Sequence, residues 1–239
     1  MTWSIIARDR TTGKFGIAVA TRFFAVGALV PHMQCGAGAV ATQALINPFF
    51  GVNGLKLLRD GKAASDVVTT LVAGDDGRDH RQLHVMDARG RFAAHTGAAC
   101  IDWCGHSVGE ECSVAGNMLV GPHVLDATEA AYAANATASF PRRLIAALRA
   151  GEAAGGDKRG KQSAALVIHG DEDWPDLDLR VDDHPEPLAE LERLEIVSRE
   201  RFTHFVRLLP SRRHPVGVTD RDAIEDEIVR GVAAAEGQS

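Results

Sequence analysis

The sequence predicts an α+β fold in which largely antiparallel sheets lie between outer layers of helix. Three observations carry this. The elements come in blocks (strands, helices, strands, helices), an order that argues against a doubly wound parallel sheet. The first two strands are apolar on both faces, with Ile5, Ala7, Ile17 and Val19 on alternating positions and Ile6, Ala18 and Ala20 between them. Such strands belong in a sheet covered on both sides. No internal repeat and no long linker divides the chain, so residues 1–210 are expected to form a single domain, followed by a charged, partly helical extension over 211–239.

Taken in order, residues 2–9 and 15–22 read as strands joined by a turn at Thr12-Gly13. Gly36 to Val40 is a third strand or the lead into one, and Thr42 to Asp60 a helix interrupted at Asn47-Pro48. Ala63 to Ala73 gives another helix, with Ser65 as its expected cap. Residues 82–87 and 91–95 form a hairpin around Gly90. Residues 112–119 are a strand that runs into a polar turn. Val124 to Ala138 and Pro141 to Gly151 are helices, the second with proline in its first turn. A glycine-rich charged loop, 155–161, precedes a buried strand over 162–169 and an extended polar segment over 178–185. Pro187 to Phe205 is the most regular helix, and Asp220 caps a last one.

Composition limits the function. The 239 residues are 45% hydrophobic and 24% charged, with a formal net charge of -6. No basic stripe points to nucleic acid, and no apolar run reaches membrane-spanning length. The N-terminus lacks the basic and apolar regions of a secretory signal, so a cytoplasmic protein is expected. Walker, dinucleotide, G-x-S-x-G and H-E-x-x-H motifs are missing, and no cofactor and no metal is expected. Cys35, Cys100, Cys104 and Cys112, with His106, do not follow common zinc spacing and read as small thiols in a reducing compartment. His80, His84, His95 and His106 read as ordinary strand or loop histidines.

Thr2 is the first candidate for chemistry. Methionine before a small residue is readily removed, which would leave Thr2 with a free amine beside its own hydroxyl. That amine, with a reference pKa of about 8, can take the hydroxyl proton, so one residue supplies nucleophile and base. Arg22 ends the second strand, where it could lie near Thr2, depress the amine's pKa and hold a carboxylate. Asn117, beside Gly116 at a strand end, could donate to an oxyanion or simply form a turn. Asp157 and Arg159 could bind a polar substrate or pair with each other. Arg180, Asp182, Asp183 and His184 share one segment. Structural anchoring through charge-assisted hydrogen bonds is the expected role, with metal binding or acid and base chemistry as the alternative.

The opening Met1-Thr2-Trp3-Ser4-Ile5 with Ala7-Arg8-Asp9, then Ala20 to Gly27, Gly38 to Ala44 and His95-Thr96-Gly97, resemble the family catalogued as domain of unknown function 1028. The match continues through Gly116 to Leu119, Gly155-Gly156-Asp157, Arg159-Gly160, Gln162 to Ala165 and Arg180 to Pro185. That family looks like a branch of the N-terminal nucleophile hydrolases. The resemblance implies a four-layer αββα sandwich with two stacked, mainly antiparallel sheets. It maps the nucleophile to Thr2 and an oxyanion donor to Gly36 or Gly38, and leaves Arg22 in place of the superfamily's lysine. Gln43, Gln162 and Ser163 fall within the matched segments and join Asp157 and Arg159 as expected substrate-binding residues. The implied reaction is amide hydrolysis on a small linear amide or ureido compound. The alternative is a non-catalytic binding or assembly protein on the same fold. A small-molecule substrate and a homo-oligomer are the expected partners.

Overall fold

In the computed structural model, which describes residues 2–236, the first two strands are β1 (Thr2–Arg8) and β2 (Phe15–Thr21). The state of Met1 lies outside the described residues. Next come β3 (Pro31–Gln34), β4 (Gly38–Ala44), α1 (Pro48–Arg59), α2 (Ala64–Ala73), β5 (Arg81–Asp87), β6 (Phe92–Thr96), β7 (Trp103–Val108) and β8 (Cys112–Leu119). They are followed by α3 (His123–Ala134), α4 (Phe140–Ala153), β9 (Ser163–His169), β10 (Leu177–Val181), α5 (Pro187–Glu200), α6 (Phe202–Phe205) and α7 (Arg221–Glu236).

One sheet has the order β10-β9-β2-β1-β8-β7 and the other β3-β4-β5-β6, with every pairing antiparallel. Helices α3 and α4 cover the six-stranded sheet, α1 and α2 cover the four-stranded one, and β1, β2 and β8 face β4 and β5. This is the four-layer αββα sandwich. Among the described residues, 2–191 and 192–236 form two compact units, divided within α5, whereas the sequence pattern places the boundary at residue 210. No helix among the described residues is long and apolar enough to cross a membrane.

Local chemistry explains several departures from the expected elements. Thr42 to Ala44 belong to β4, not to a helix, because they pair with 81–83 of β5. The helix starts only at Pro48, where Asn47 accepts from the Phe49 N–H. Ser65 does not cap α2; the Asp87 carboxylate, brought from β5, accepts from the Ala64 N–H at 3.1 Å. Strands β3 and β7 were not expected. Both are sheet edges with mostly half-buried residues, so neither shows an alternation of apolar and polar residues. The helix expected over 187–205 breaks at Arg201 into α5 and α6. Asp220 does cap α7, accepting from the Asp222 and Ala223 N–H groups.

The layer between the sheets has two parts. Ile6, Ile17, Val19, Ala39, Ala41, Met86 and Ala165 form an apolar cluster. Beside it runs a polar column from β1, β8, β4 and β5: Thr2, Ser4, Gln43, Gln82, His84, Ser113 and Asn117, all buried.

Candidate active site at the tip of the first strand

Strand pairing builds the site. Thr2 is held between Thr21 of β2 and Asn117 of β8. The Thr2 side chain shares the inter-sheet face with Ser4 and Ile6 because strand side chains repeat every second residue. Its hydroxyl lies 3.1 Å from the Thr21 hydroxyl and is buried. The Asn117 amide donates to the Thr2 carbonyl at 3.4 Å and to Gln82 Oε1 at 3.0 Å.

Below Thr2 the column is fully connected. Ser4 Oγ donates to Gln43 Oε1 at 2.7 Å and lies 2.9 Å from His84 Nε2. Gln43 Nε2 donates to Gln82 Oε1 at 2.8 Å, and Gln82 Nε2 reaches the Gly116 and Gly105 carbonyls and Thr96 Oγ1. On its other side, His84 Nδ1 is 3.1 Å from Ser113 Oγ. Burial, reinforced by the nearby His106, pushes His84 down to about 3, so the ring is neutral at physiological pH. The single Ser4 proton goes to Gln43 and the single Ser113 proton to the Ser107 carbonyl, so both hydroxyls offer the neutral His84 ring an acceptor and its one N–H serves one of them at a time. Gln43 is therefore a structural link with both ends of its amide engaged, not an open substrate contact.

The other expected residues gather beside this site or far from it. Asp157 is buried, and its carboxylate accepts from the Arg22 N–H at 2.8 Å and the Arg159 N–H at 2.7 Å. It also forms an ion pair with the Arg159 guanidinium. It thus ties the glycine-rich loop to the end of β2. Replacing Asp157 with Ala strands both N–H groups and is expected to cost about 2 kcal/mol in a urea unfolding series, with Asp157→Asn losing less. The Arg22 side chain is exposed and donates to the Lys161 carbonyl at 3.3 Å. Gln162 and Ser163 are occupied by structural bonds. Gln162 donates to Asp183 and to the Thr21 carbonyl, while Ser163 donates to the Phe23 carbonyl and accepts from the Val26 N–H. In the 180–184 segment, Arg180 pairs with Asp182, and His184 Nδ1 accepts from the Glu186 N–H. Among the described residues no group of three or more His, Cys, Asp or Glu is arranged to hold a metal.

Gly36 and Gly38 do not come near Thr2. Gly38 pairs with Asp87, at the end of β5 whose turn lies against Arg8, the opposite end of β1. Arg8 lies six residue steps along the strand from Thr2, roughly 20 Å. The oxyanion position expected for these glycines is thus corrected by the register of β4. Sequence reasoning passed over Ser4, Thr21, Gln82, His84 and Ser113. The signal was available as polar pairs two residues apart, Thr2/Ser4 and Gln82/His84, inside otherwise apolar strands.

The layers and this column define an αββα sandwich protein whose first strand carries a buried hydroxyl at its tip. The chain belongs to the family of unknown function DUF1028, whose model matches residues 2–191. The crystal structure of protein SPO2555 from Silicibacter pomeroyi, of the same family, is 36% identical and covers 92% of this chain and 99% of its own, with a TM-score of 0.85. Anbu (ancestral beta-subunit) from Yersinia bercovieri aligns at 12% identity over 82% of this chain and 95% of its own, with a TM-score of 0.41. No curated protein matches the chain significantly.

Proposed function

We propose that the protein is an N-terminal nucleophile amidohydrolase that cleaves a small linear amide or ureido compound. The observation that carries this is the Thr2 hydroxyl, set at the tip of a central strand and paired with the Thr21 hydroxyl. Once its amine is free, Thr2 attacks the carbonyl carbon while the hydroxyl proton passes to the amine. The leaving nitrogen takes that proton as the C–N bond breaks, and water then releases the acyl group from Thr2. Thr21 orients the nucleophile. Asn117 fixes the Thr2 main chain; an oxyanion role for it would require releasing the Thr2 carbonyl or Gln82.

A second reading, a non-catalytic binding protein on the same fold, has one observation in its favour. Among the described residues the Thr2 hydroxyl has another hydroxyl as its hydrogen-bond partner, and no basic side chain.

The test begins with intact mass, to select protein whose first residue is Thr2. That protein, Thr2→Ser and Thr2→Ala are then assayed on a panel of small amides and ureido compounds. Turnover retained in part by Ser and lost in Ala is expected. Equal turnover by wild type and Ala would sink the proposal. Failure of Thr-directed covalent probes to label the processed protein would favour the binding reading.

A further inference from the structure

A second feature lies at the other end of β1. A cavity of about 320 Å³ is lined by Arg8, Arg10, Arg89, Gly90, Glu110 and Glu111. That volume is at the lower end of small-molecule sites. Its two carboxylates are already engaged. Glu110 pairs with Arg10, and Glu111 pairs with Arg10 and Arg143. Arg143 is fixed in turn by the Tyr132 carbonyl and the face of its ring, 3.7 Å away. Arg8 and Arg89 are different: among the described residues, neither guanidinium has an ion pair or a side-chain hydrogen bond. Three guanidiniums and two carboxylates line the cavity, and Arg8 and Arg89 are the lining cations without a carboxylate partner.

Both stand on ordered backbone. Arg8 ends β1, and its N–H donates to the Glu111 carbonyl at 3.2 Å. Arg89 sits in the β5–β6 turn, where its N–H donates to Asp87 Oδ1 at 2.9 Å. Gly90 makes the approach possible. A Cβ there would come within 2.9 Å of Arg8 Nη1, and its φ of +76° suits glycine.

We infer that this cavity binds a small organic anion with a doubly charged head, a phosphate monoester or a dicarboxylate, held between Arg8 and Arg89. Guanidiniums present forked donors that match planar or tetrahedral anions, and two of them on rigid elements supply the second charge. The cavity exceeds what a bare anion fills, so the ligand carries a short neutral body as well. The site is separate from Thr2 and does not depend on the hydrolase reading.

Calorimetric titration of the full chain in low-salt chloride buffer tests this with inorganic phosphate, phenyl phosphate and succinate, and with neutral succinamide as a control. Saturable one-to-one binding of phenyl phosphate or succinate is expected, and which of the two binds tells the phosphate ester from the dicarboxylate. Arg8→Met and Arg89→Met should each weaken it about tenfold or more. Arg59→Met, on the surface of α1, should leave it unchanged. Gly90→Ala should weaken it by displacing Arg8. Arg89 is exposed, so its variant keeps the test open if Arg8→Met folds poorly. No saturable binding of any anion, equal binding of succinamide, or equal weakening by Arg59→Met would overturn the inference.

Discussion

Gly38→Ala is expected to destabilise the protein by about 4 kcal/mol or more, enough to unfold much of the population of a marginally stable domain. The Cβ it adds would lie 2.1 Å from the Met86 carbonyl oxygen, at a φ of +136° that L side chains rarely adopt. Met86 O is main chain in the paired strand β5, so it cannot rotate away. Gly36→Ala is the control. Its φ is +73°, but nothing lies within 4 Å of the added carbon, so about 1 kcal/mol is expected. Urea unfolding of both variants measures the difference. Similar losses would show that backbone conformation, not the contact with Met86, decides the need for glycine at 38. The pair also bears on function, because a large purely structural penalty explains Gly38 without any oxyanion role.

Acidification from pH 6.5 to pH 4 is expected to remove roughly 3 kcal/mol of stability through His84 alone. The folded-state value of about 3 lies below the ordinary 6.5. As pH falls through 6.5 the unfolded chain takes up a proton that the folded ring refuses, so stability drops by about 1.4 kcal/mol per pH unit until the folded ring also titrates. Burial lowers His32, His106 and His169 too, and they add to the same window. Burial pushes the carboxyls of Asp9, Asp75 and Asp87 up, but their hydrogen bonds hold them below the usual value, so their stabilisation is lost only below about pH 4. A variant therefore isolates His84. His84→Met leaves Ser4 bonded to Gln43 and Ser113 to the Ser107 carbonyl. Urea midpoints at pH 6.5, 5 and 4 should fall less steeply in the variant than in wild type. Parallel lines would mean that His84 takes up its proton at an ordinary pH.

These two residues show where sequence alone loses information. An oxyanion role for Gly38 is what the family resemblance implies. Only the register of β4 on β5 revealed that its backbone abuts Met86 at the wrong end of the strand. His84 reads as ordinary because its polar pair with Gln82 on one strand face does not tell what that face meets. Its partners Ser4 and Ser113 are 80 and 29 residues away in sequence, so only the stacking of the two sheets brings them together.

By itself the sequence determined what short-range chemistry controls. Two-sided apolarity placed β1 and β2, Pro141 and Asp220 marked helix starts, and the motif pattern pointed to the family and the four-layer fold. Tertiary structure decided the rest. It added β3 and β7, which are edge strands with no full burial pattern to read, and it moved the cap of α2 from Ser65 to Asp87. It engaged Gln43, Asp157, Gln162 and Ser163 in structural bonds. It also gathered Thr2, Thr21, Asn117 and the polar column between two sheets. The physical reason is the same in each case: a strand's own residues set which face is buried, but only pairing and stacking set what that face meets.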